Sequence, residues 1–379
     1  MTPGYDPPAG VGMPTPFNVD FDVAPLLVIW ETTRACELAC QHCRADAINK
    51  RHPDELNLEE GKALLDAIKA LETPIVVLTG GDPIQRDDLE DLIAHGKSQG
   101  LRMGTIPAGT SRLTRERIHS LKKAGVDQIA FSLDGPTAEK HDAFRRVKGS
   151  FAMTLQGARW AREEDIPLQI NTVFSQWNFD DFDALSEIVE SLGIVFWEVF
   201  FLVPTGRGSV LEGCTAEQFE ALFEKLHLLS QRAPFVVKVT EAQHYRRYTL
   251  QQKIGEGTHP GLSNPPAVAR EMKAAFHPAR AIGRSSRVVN AGNGFCFVDH
   301  VGKIYPSGFL PIVAGDVRKN AITEVYRHGS LFRELRNPIL LKGKCGRCEY
   351  REVCGGSRSR AYAVFGDYLA EEPCCALER

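Results

Sequence analysis

The sequence predicts an α/β fold, a parallel sheet covered by helices, followed by a smaller α+β Cys-rich unit. Three observations predict it. Between residues 25 and 231, strand-length apolar runs alternate six times with segments of helical spacing. Such alternation builds parallel strands joined by right-handed crossovers. The strand segments are apolar on both faces, as a sheet buried between helix layers requires. The cysteines also segregate, three at 36–43 and five at 345–375, with Cys214 and Cys296 standing alone.

PLLVIW (25–30) reads as the first buried strand. LNLEEGKALLDAIKAL (56–71) has helical apolar spacing, and PIVVLTGG (74–81) is a strand ending in glycines. DDLEDLIAHGKSQG is a helix with a Gly stop, and LRMGTI (101–106) is the third strand. TRERIHSLKKAG repeats the helix, and VDQIAFSLDG (126–135) the strand. FAMTLQGARWAREED, IPLQINTVF (166–174), FDALSEIVESLG, IVFWEVFFLV (194–203) and TAEQFEALFEKLHLLSQ complete the series. Eight units would close a (β/α)8 barrel. Six leave an open, partial barrel or a doubly wound sheet, and in either the chemistry belongs at the C-terminal ends of the strands.

From about 235 to 290 the pattern loosens, and SNPPAVAR and HPARAIGRSSR read as loops. From 291 short strands (GFCFVDH, GKIYPSG), a helix near 321–336 and the Cys-rich tail follow. The expected division is an arm at 1–24, a core at 25–235, a linker at 236–290 and a tail domain at 291–379.

With 379 residues, 43% of them hydrophobic, the chain can bury a large core and a smaller one. A net charge of −3 gives no basic excess for nucleic acid. No window reaches the roughly 18 apolar residues of a membrane span, and no basic stretch followed by an apolar one marks a signal peptide. The expected location is therefore the cytoplasm. In a reducing compartment, the eight clustered cysteines point to metal or redox sites rather than disulfides. Their segregation predicts two metal sites.

The sharpest motif is CELACQHC, which places Cys36, Cys40 and Cys43 in the loop after strand one. A tetrahedral zinc or an ordinary iron–sulfur cluster takes four ligands, so one ligand is missing nearby. Strand two ends in TGGDP, whose glycines let the backbone approach a ligand. Strand four ends in SLDG, with Ser132 and Asp134 at the same rim, and Asn171 lies near the end of strand five. Each has a plain alternative: a zinc knuckle, a turn, an Asx cap. Their joint placement at one mouth favours a site.

CELACQHC after a first strand resembles the CxxxCxxC signature of the radical S-adenosylmethionine (SAM) enzymes, and residues 25–379 resemble their SPASM or twitch branch. The resemblance implies a partial (β/α)6 TIM-like barrel. It implies a 4Fe–4S cluster on Cys36, Cys40 and Cys43, with SAM itself on the fourth iron. TGGDP is similar to the family's GGEP motif, so Gly80, Gly81 and Asp82 would contact SAM, with Asp82 in place of Glu. Ser132 and Asp134 would lie near the ribose or carboxylate, with Asn171 beside them. In HDAFRRVKGSF, Arg145 would pair with the carboxylate, which suits a guanidinium; the plain alternative is a helix-end salt bridge.

The tail resembles the auxiliary-cluster region of SPASM enzymes, closest to those of heme biosynthesis. The resemblance assigns one auxiliary 4Fe–4S cluster to Cys345, Cys348, Cys354 and Cys375; Cys374 competes, and Pro373 favours Cys375. Ser307 and Ser357 stand where a second cluster would want cysteines, so one cluster rather than two is expected. Cys296 and Cys214 are then buried small hydrophobes. A zinc on the same four thiolates is the alternative.

The implied activity is reductive cleavage of SAM to a 5′-deoxyadenosyl radical that abstracts hydrogen from a substrate. The implied partners are a one-electron donor such as ferredoxin or flavodoxin and a substrate, either a tetrapyrrole side chain or a peptide. About 24 residues precede strand one, too few for a leader-peptide recognition domain unless a separate partner supplies it, while Ser357 in place of a cysteine weakens the heme analogy. PTGRGS (204–209) after strand six either faces the substrate or is a plain turn. Outside the enzyme class stand a non-catalytic Fe–S or zinc protein and a ferredoxin-like electron carrier. The intact cysteines, GG and SLDG argue against the first, and the large barrel against the second.

Overall fold

The computed structural model describes residues 17–255 and 289–377. Strands β1 (Leu27–Glu31), β2 (Ile75–Thr79), β3 (Arg102–Thr105), β4 (Gln128–Ser132), β5 (Leu168–Phe174), β6 (Phe196–Phe201), β7 (Val236–Thr240), β8 (Phe295–Val298), β9 (Lys303–Tyr305) and β10 (Gly315–Asp316) form one sheet. Its order is β10-β9-β8-β1-β2-β3-β4-β5-β6-β7. β8 and β1 through β7 run parallel, and β9 and β10 return antiparallel. The expected α/β parallel sheet is present, open between β7 and the β8–β10 hairpins.

The helices between strands are α1 (Leu58–Ala70), α2 (Leu89–Ser98), α3 (Arg115–Ala124), α4 (Ala138–Arg145), α5 (Ser150–Glu163), α6 (Phe182–Ser191), α7 (Ala216–Arg232) and α8 (Tyr245–Gly255). Their starts are written locally. Asn57 and Glu60 form a reciprocal capping box on α1, each side chain accepting the other's amide at 3.0 Å. Thr215 and Gln218 do the same for α7. On α1, Leu64, Leu65 and Ile68 share the buried face, each worth about 1.5–3 kcal/mol on burial. Gly61 lets this helix close on the sheet, because a Cβ there would lie 2.7 Å from Trp30 and Leu92.

Two features differ from the sequence reading. A seventh parallel strand, β7, and helix α8 begin the interval read as a linker. β7 reads VVKVT; only its first two residues are buried, so as the sheet's edge it lacks the double-sided apolar signal of the inner strands. Second, β8, read as the start of a separate tail domain, pairs in parallel register with β1, Leu27 opposite Phe295 and Trp30 opposite Val298. The tail therefore grows out of the barrel sheet. SNPPAVAR and HPARAIGRSSR, read as loops, lie outside the described residues.

The helix expected near 321–336 is two, α9 (Ile322–His328) and α10 (Ser330–Leu335), broken at Gly329. A Cβ at Gly329 would sit 2.4 Å from the Val325 carbonyl. α11 (Gly343–Arg347) and α12 (Arg358–Phe365) carry the tail. Among the described residues no helix is long and apolar enough to cross a membrane.

Candidate active site

The loop after β1 carries the first three cysteines to the C-terminal rim of the sheet. Its backbone is held from three sides. The β2 end supplies Gly81 N–H to the Thr33 carbonyl at 2.8 Å and Asp82 N–H to the Ala35 carbonyl at 2.7 Å. The end of α4 accepts Ala39 N–H and Gln41 N–H on the Arg145 and Phe144 carbonyls. The loop after β6 supplies Arg207, whose Nε donates to the Cys40 carbonyl and Nη1 to the Ala47 carbonyl, both at 2.9 Å. The glycines of TGGDP are needed for this approach: a Cβ at Gly80 would lie 2.5 Å from the Thr33 oxygen, and at Gly81 2.4 Å from the Ala35 oxygen.

Cys36, Cys40 and Cys43 line one cavity of about 220 Å³ together with Gly80, Gly81, Ser132, Arg145 and Asn171. Eight of the ten site residues read from the barrel sequence thus meet at one mouth. Ser132 and Asn171 sit side by side in register on β4 and β5. Asn171 lies mid-strand rather than at a strand end, because β5 extends beyond its neighbour.

Asp82 and Asp134 lie elsewhere. Asp82 is buried and turned to the β3 loop, accepting from Thr110 Oγ1 at 2.8 Å and Ala108 N–H at 3.1 Å; burial lifts its carboxyl to about 6. Asp134 is buried against the Arg145 guanidinium and accepts Val173 N–H at 2.8 Å. Burial opposes its charge, but Arg145 and the hydrogen bonds hold its carboxyl below the usual range. Arg145 in turn points Nη1 at Cys40 Sγ, 3.5 Å away. Asp134 therefore positions the arginine that faces the cavity.

The donor set fits a thiolate-held cluster with SAM. Each sulfur has a donor: Leu38 N–H to Cys36 at 3.3 Å, Arg145 to Cys40, and Ala47 N–H to Cys43 at 3.5 Å. Burial pushes the Cys36 and Cys40 thiols above their usual range, so these donors offset part of the cost of the ionised form that binds iron. Around the same cavity four buried polar atoms have no partner: His42 Nδ1, His141 Nε2, Arg145 Nε and Ser150 Oγ. Unpaired buried polar atoms cost about 1–3 kcal/mol each, and all four belong to residues that line the cavity.

His42, His141, Ser150 and Arg207 were not read from the sequence as site residues. His42 stacks on Phe144, centroids 4.6 Å apart, and desolvation lowers its ring and that of His141 to about 4. The signal for Arg207 was present in PTGRGS. Its Gly206, at φ +54°, lies against the Cys43 and Arg44 carbonyls, where a Cβ would approach to 2.5 and 2.4 Å. That segment is neither a free turn nor a substrate contact alone; it clamps the cysteine loop.

In the tail, Cys345, Cys348, Cys354 and Cys375 line a second, smaller cavity of about 30 Å³ with His244, Arg247, Lys344 and Glu372. Cys374 does not line it and packs against the main core. Amides of Glu372, Tyr350 and Gly356 point at the sulfurs of Cys345, Cys348 and Cys354 at 3.2, 3.4 and 3.5 Å. Burial pushes the Cys354 thiol up to about 12. Among the described residues no group of three or more His, Cys, Asp or Glu side chains is arranged to hold a metal ion directly; the thiols frame the two cavities.

The positions read as remnants of another cluster are occupied otherwise. Cys296 is fully buried in β8 and belongs to the core. Cys214 is likewise buried. Ser357 caps α12 and donates to the Glu241 carboxylate at 2.5 Å, and Ser307 accepts Phe309 N–H at 3.2 Å.

Comparison with known proteins agrees with this geometry. The family model of the Radical SAM superfamily matches residues 30–189. An AdoMet-dependent heme synthase of Methanosarcina barkeri is 39% identical over 352 residues, spanning 93% of this chain and 96% of that protein. A PqqA peptide cyclase of Rhodopseudomonas palustris is 27% identical over 93% of this chain and 87% of its own length. Streptococcus suis SuiB bound to precursor peptide SuiA shares the fold, with a TM-score of 0.71 at 15% identity over 94% of this chain and 76% of that one. Given the three-thiol loop at the barrel rim, the family match across β1 to α6 and a 39% identical relative running the length of both chains, the chain belongs to the radical SAM superfamily.

Proposed function

We propose that this SAM-dependent enzyme acts on a tetrapyrrole, removing a carboxyl-bearing side-chain group oxidatively. The observation that carries the reading is the cavity wall contributed by β6 and the tail. Phe200 and Phe201 end β6 and Leu202 and Val203 follow, all lining the cavity, and the ring of Phe309 in the tail lies 6.3 Å from that of Phe200. A flat apolar macrocycle packs on aromatic and aliphatic side chains of this kind. The name of the 39% identical relative, a heme synthase, supports the same substrate class.

Cys36, Cys40 and Cys43 would hold the cluster, which would supply the electron for reductive cleavage of SAM to methionine and a 5′-deoxyadenosyl radical. This chain's residues do the rest by position. Arg207, Gly80 and Gly81 fix the thiol loop, and the Asp134-held Arg145 with His42, His141 and Ser150 offers polar contacts to SAM. The apolar wall excludes water from the reacting centre. For a propionate, hydrogen leaves the carbon next to the ring, carbon dioxide leaves, a vinyl group forms and one electron remains. That electron needs a one-electron acceptor, and a cluster held by Cys345, Cys348, Cys354 and Cys375 would supply one.

The proposed auxiliary group is one 4Fe–4S cluster on Cys345, Cys348, Cys354 and Cys375, in the unit from 291 to 379. A ferredoxin- or flavodoxin-type protein is the proposed electron donor. The ten cysteines are free thiols, which fits a reducing compartment such as the cytoplasm.

The test is anaerobic: reconstitution with iron and sulfide, then SAM, dithionite and an iron porphyrin carrying propionate side chains. Expected are 5′-deoxyadenosine and a porphyrin lighter by the mass of formic acid per group lost. Deoxyadenosine without porphyrin conversion, together with modification of a peptide, would favour the reading that the 27% identical peptide cyclase suggests.

A further inference from the structure

We propose that His244 donates a ring N–H to the iron–sulfur group held by Cys345, Cys348, Cys354 and Cys375, and thereby raises its reduction potential. The inference rests on the auxiliary-cluster reading above.

His244 sits in the short connection between β7 and α8, a segment whose motif, TEAQHYRR, carried no function in the sequence. It is 0% exposed and lines the thiol cavity. Neither ring nitrogen has a partner. A neutral imidazole always carries one donor and one acceptor, and leaving such atoms buried and unpaired costs about 1–3 kcal/mol each. A histidine that served only to fill space would be replaced by phenylalanine at a gain.

The surroundings narrow where the ring can find a partner. Phe219 and Phe223 enclose it, both with centroids 4.9 Å away. Its backbone carbonyl accepts Tyr248 N–H at 3.1 Å, which fixes the main chain at the start of α8. The charged groups that share the cavity are committed elsewhere. Glu372 accepts from Arg360, Ser357 N–H and Cys374 N–H. Arg247 is paired with Glu220, and Lys344 Nζ donates to the Cys375 carbonyl at 2.8 Å. Arg351 Nη1 donates to the Gly346 carbonyl at 3.2 Å, and the four thiols line the same cavity as the unpartnered ring.

A hydrogen bond to a cluster sulfur stabilises the extra negative charge gained on reduction, so donors raise the potential. In this dry, aromatic cage a single donor counts for more than it would in water. An acceptor for the electron left by substrate oxidation benefits from that direction of tuning.

The test uses the full chain with Cys36, Cys40 and Cys43 replaced by alanine, so that only the tail signal remains. Iron analysis comes first: about four irons per chain support the auxiliary cluster, while zinc or no metal would overturn that reading and this inference with it. His244→Phe and His244→Gln are then compared by redox titration and electron paramagnetic resonance. Expected is retained iron in both, a lower potential for His244→Phe and recovery toward the parent in His244→Gln, which keeps an N–H donor. Iron retained with an unchanged potential and spectrum in His244→Phe would overturn the His244 role alone. Strong nitrogen hyperfine coupling in the parent would also overturn it, since the ring would then be a ligand rather than a donor.

Discussion

Arg207 Nε lies 2.9 Å from the carbonyl oxygen of Cys40, joining the loop after β6 to a residue 167 positions earlier. The same guanidinium holds the Ala47 carbonyl, so one side chain spans the cysteine loop on either side of Cys43. Hydrogen bonds from a charged donor are worth about 1.5–3 kcal/mol each. Arg207→Ala is expected to let a chelator strip iron from the first site about tenfold faster or more. Arg207→Lys, which cannot reach both carbonyls as a planar fork, should fall between. Extraction kinetics followed at the cluster absorbance check this, and an unchanged rate in Arg207→Ala would remove the clamp role.

The Arg145–Asp134 pair is buried, with side chains 10% and 0% exposed. Removing one partner leaves an uncompensated charge, at a cost of about 3–5 kcal/mol. Asp134→Asn should lower the urea midpoint and weaken SAM binding, because Arg145 loses the group that aims it. Arg145→Lys should weaken SAM binding with a smaller stability loss. Equilibrium dialysis with SAM beside denaturation curves separates the two effects.

Gly81 carries a steric prediction. An added Cβ would meet the Ala35 oxygen at 2.4 Å and the Arg34 oxygen at 2.7 Å, both backbone atoms that cannot swing aside. Gly81→Ala should cost about 1–3 kcal/mol by overpacking and abolish formation of 5′-deoxyadenosine. Product assay by chromatography after reconstitution tests it; wild-type turnover would show that the loop can retreat.

The adjacent tail cysteines are expected to behave differently. Cys375 lines the thiol cavity and Cys374 packs against the core. Cys375→Ala should drop iron from about eight to about four per chain, whereas Cys374→Ala should keep about eight. Cys296→Ala, deep in β8, should leave iron unchanged and cost stability only. Iron counts on the three variants decide the assignment.

Much of this was legible from residues alone. The six inner strand–helix units show in the sequence because a strand buried on both faces reads as an unbroken apolar run. Cys36, Cys40 and Cys43 were legible because three thiols of one loop that share a cavity must be close in sequence, and Gly80 and Gly81 because a close backbone approach admits no side chain. β7 was missed because an edge strand keeps polar residues such as Lys238 and Thr240. β8 was taken for the start of a separate domain because strand pairing between Leu27 and Phe295 leaves no local trace.

The sequence by itself thus determined the fold class, the thiol motifs and the rim on which they sit, since each is a matter of local pattern and spacing. The tertiary structure decided the rest. Tertiary packing turns Asp134 from the cavity onto Arg145, and contacts between distant segments bring Arg207 across to the cysteine loop, separate Cys375 from Cys374 and leave His244 unpaired in the cavity that four thiols line. Long-range packing and hydrogen bonding decide which buried polar groups find a partner and which do not, and no one-dimensional pattern carries that assignment.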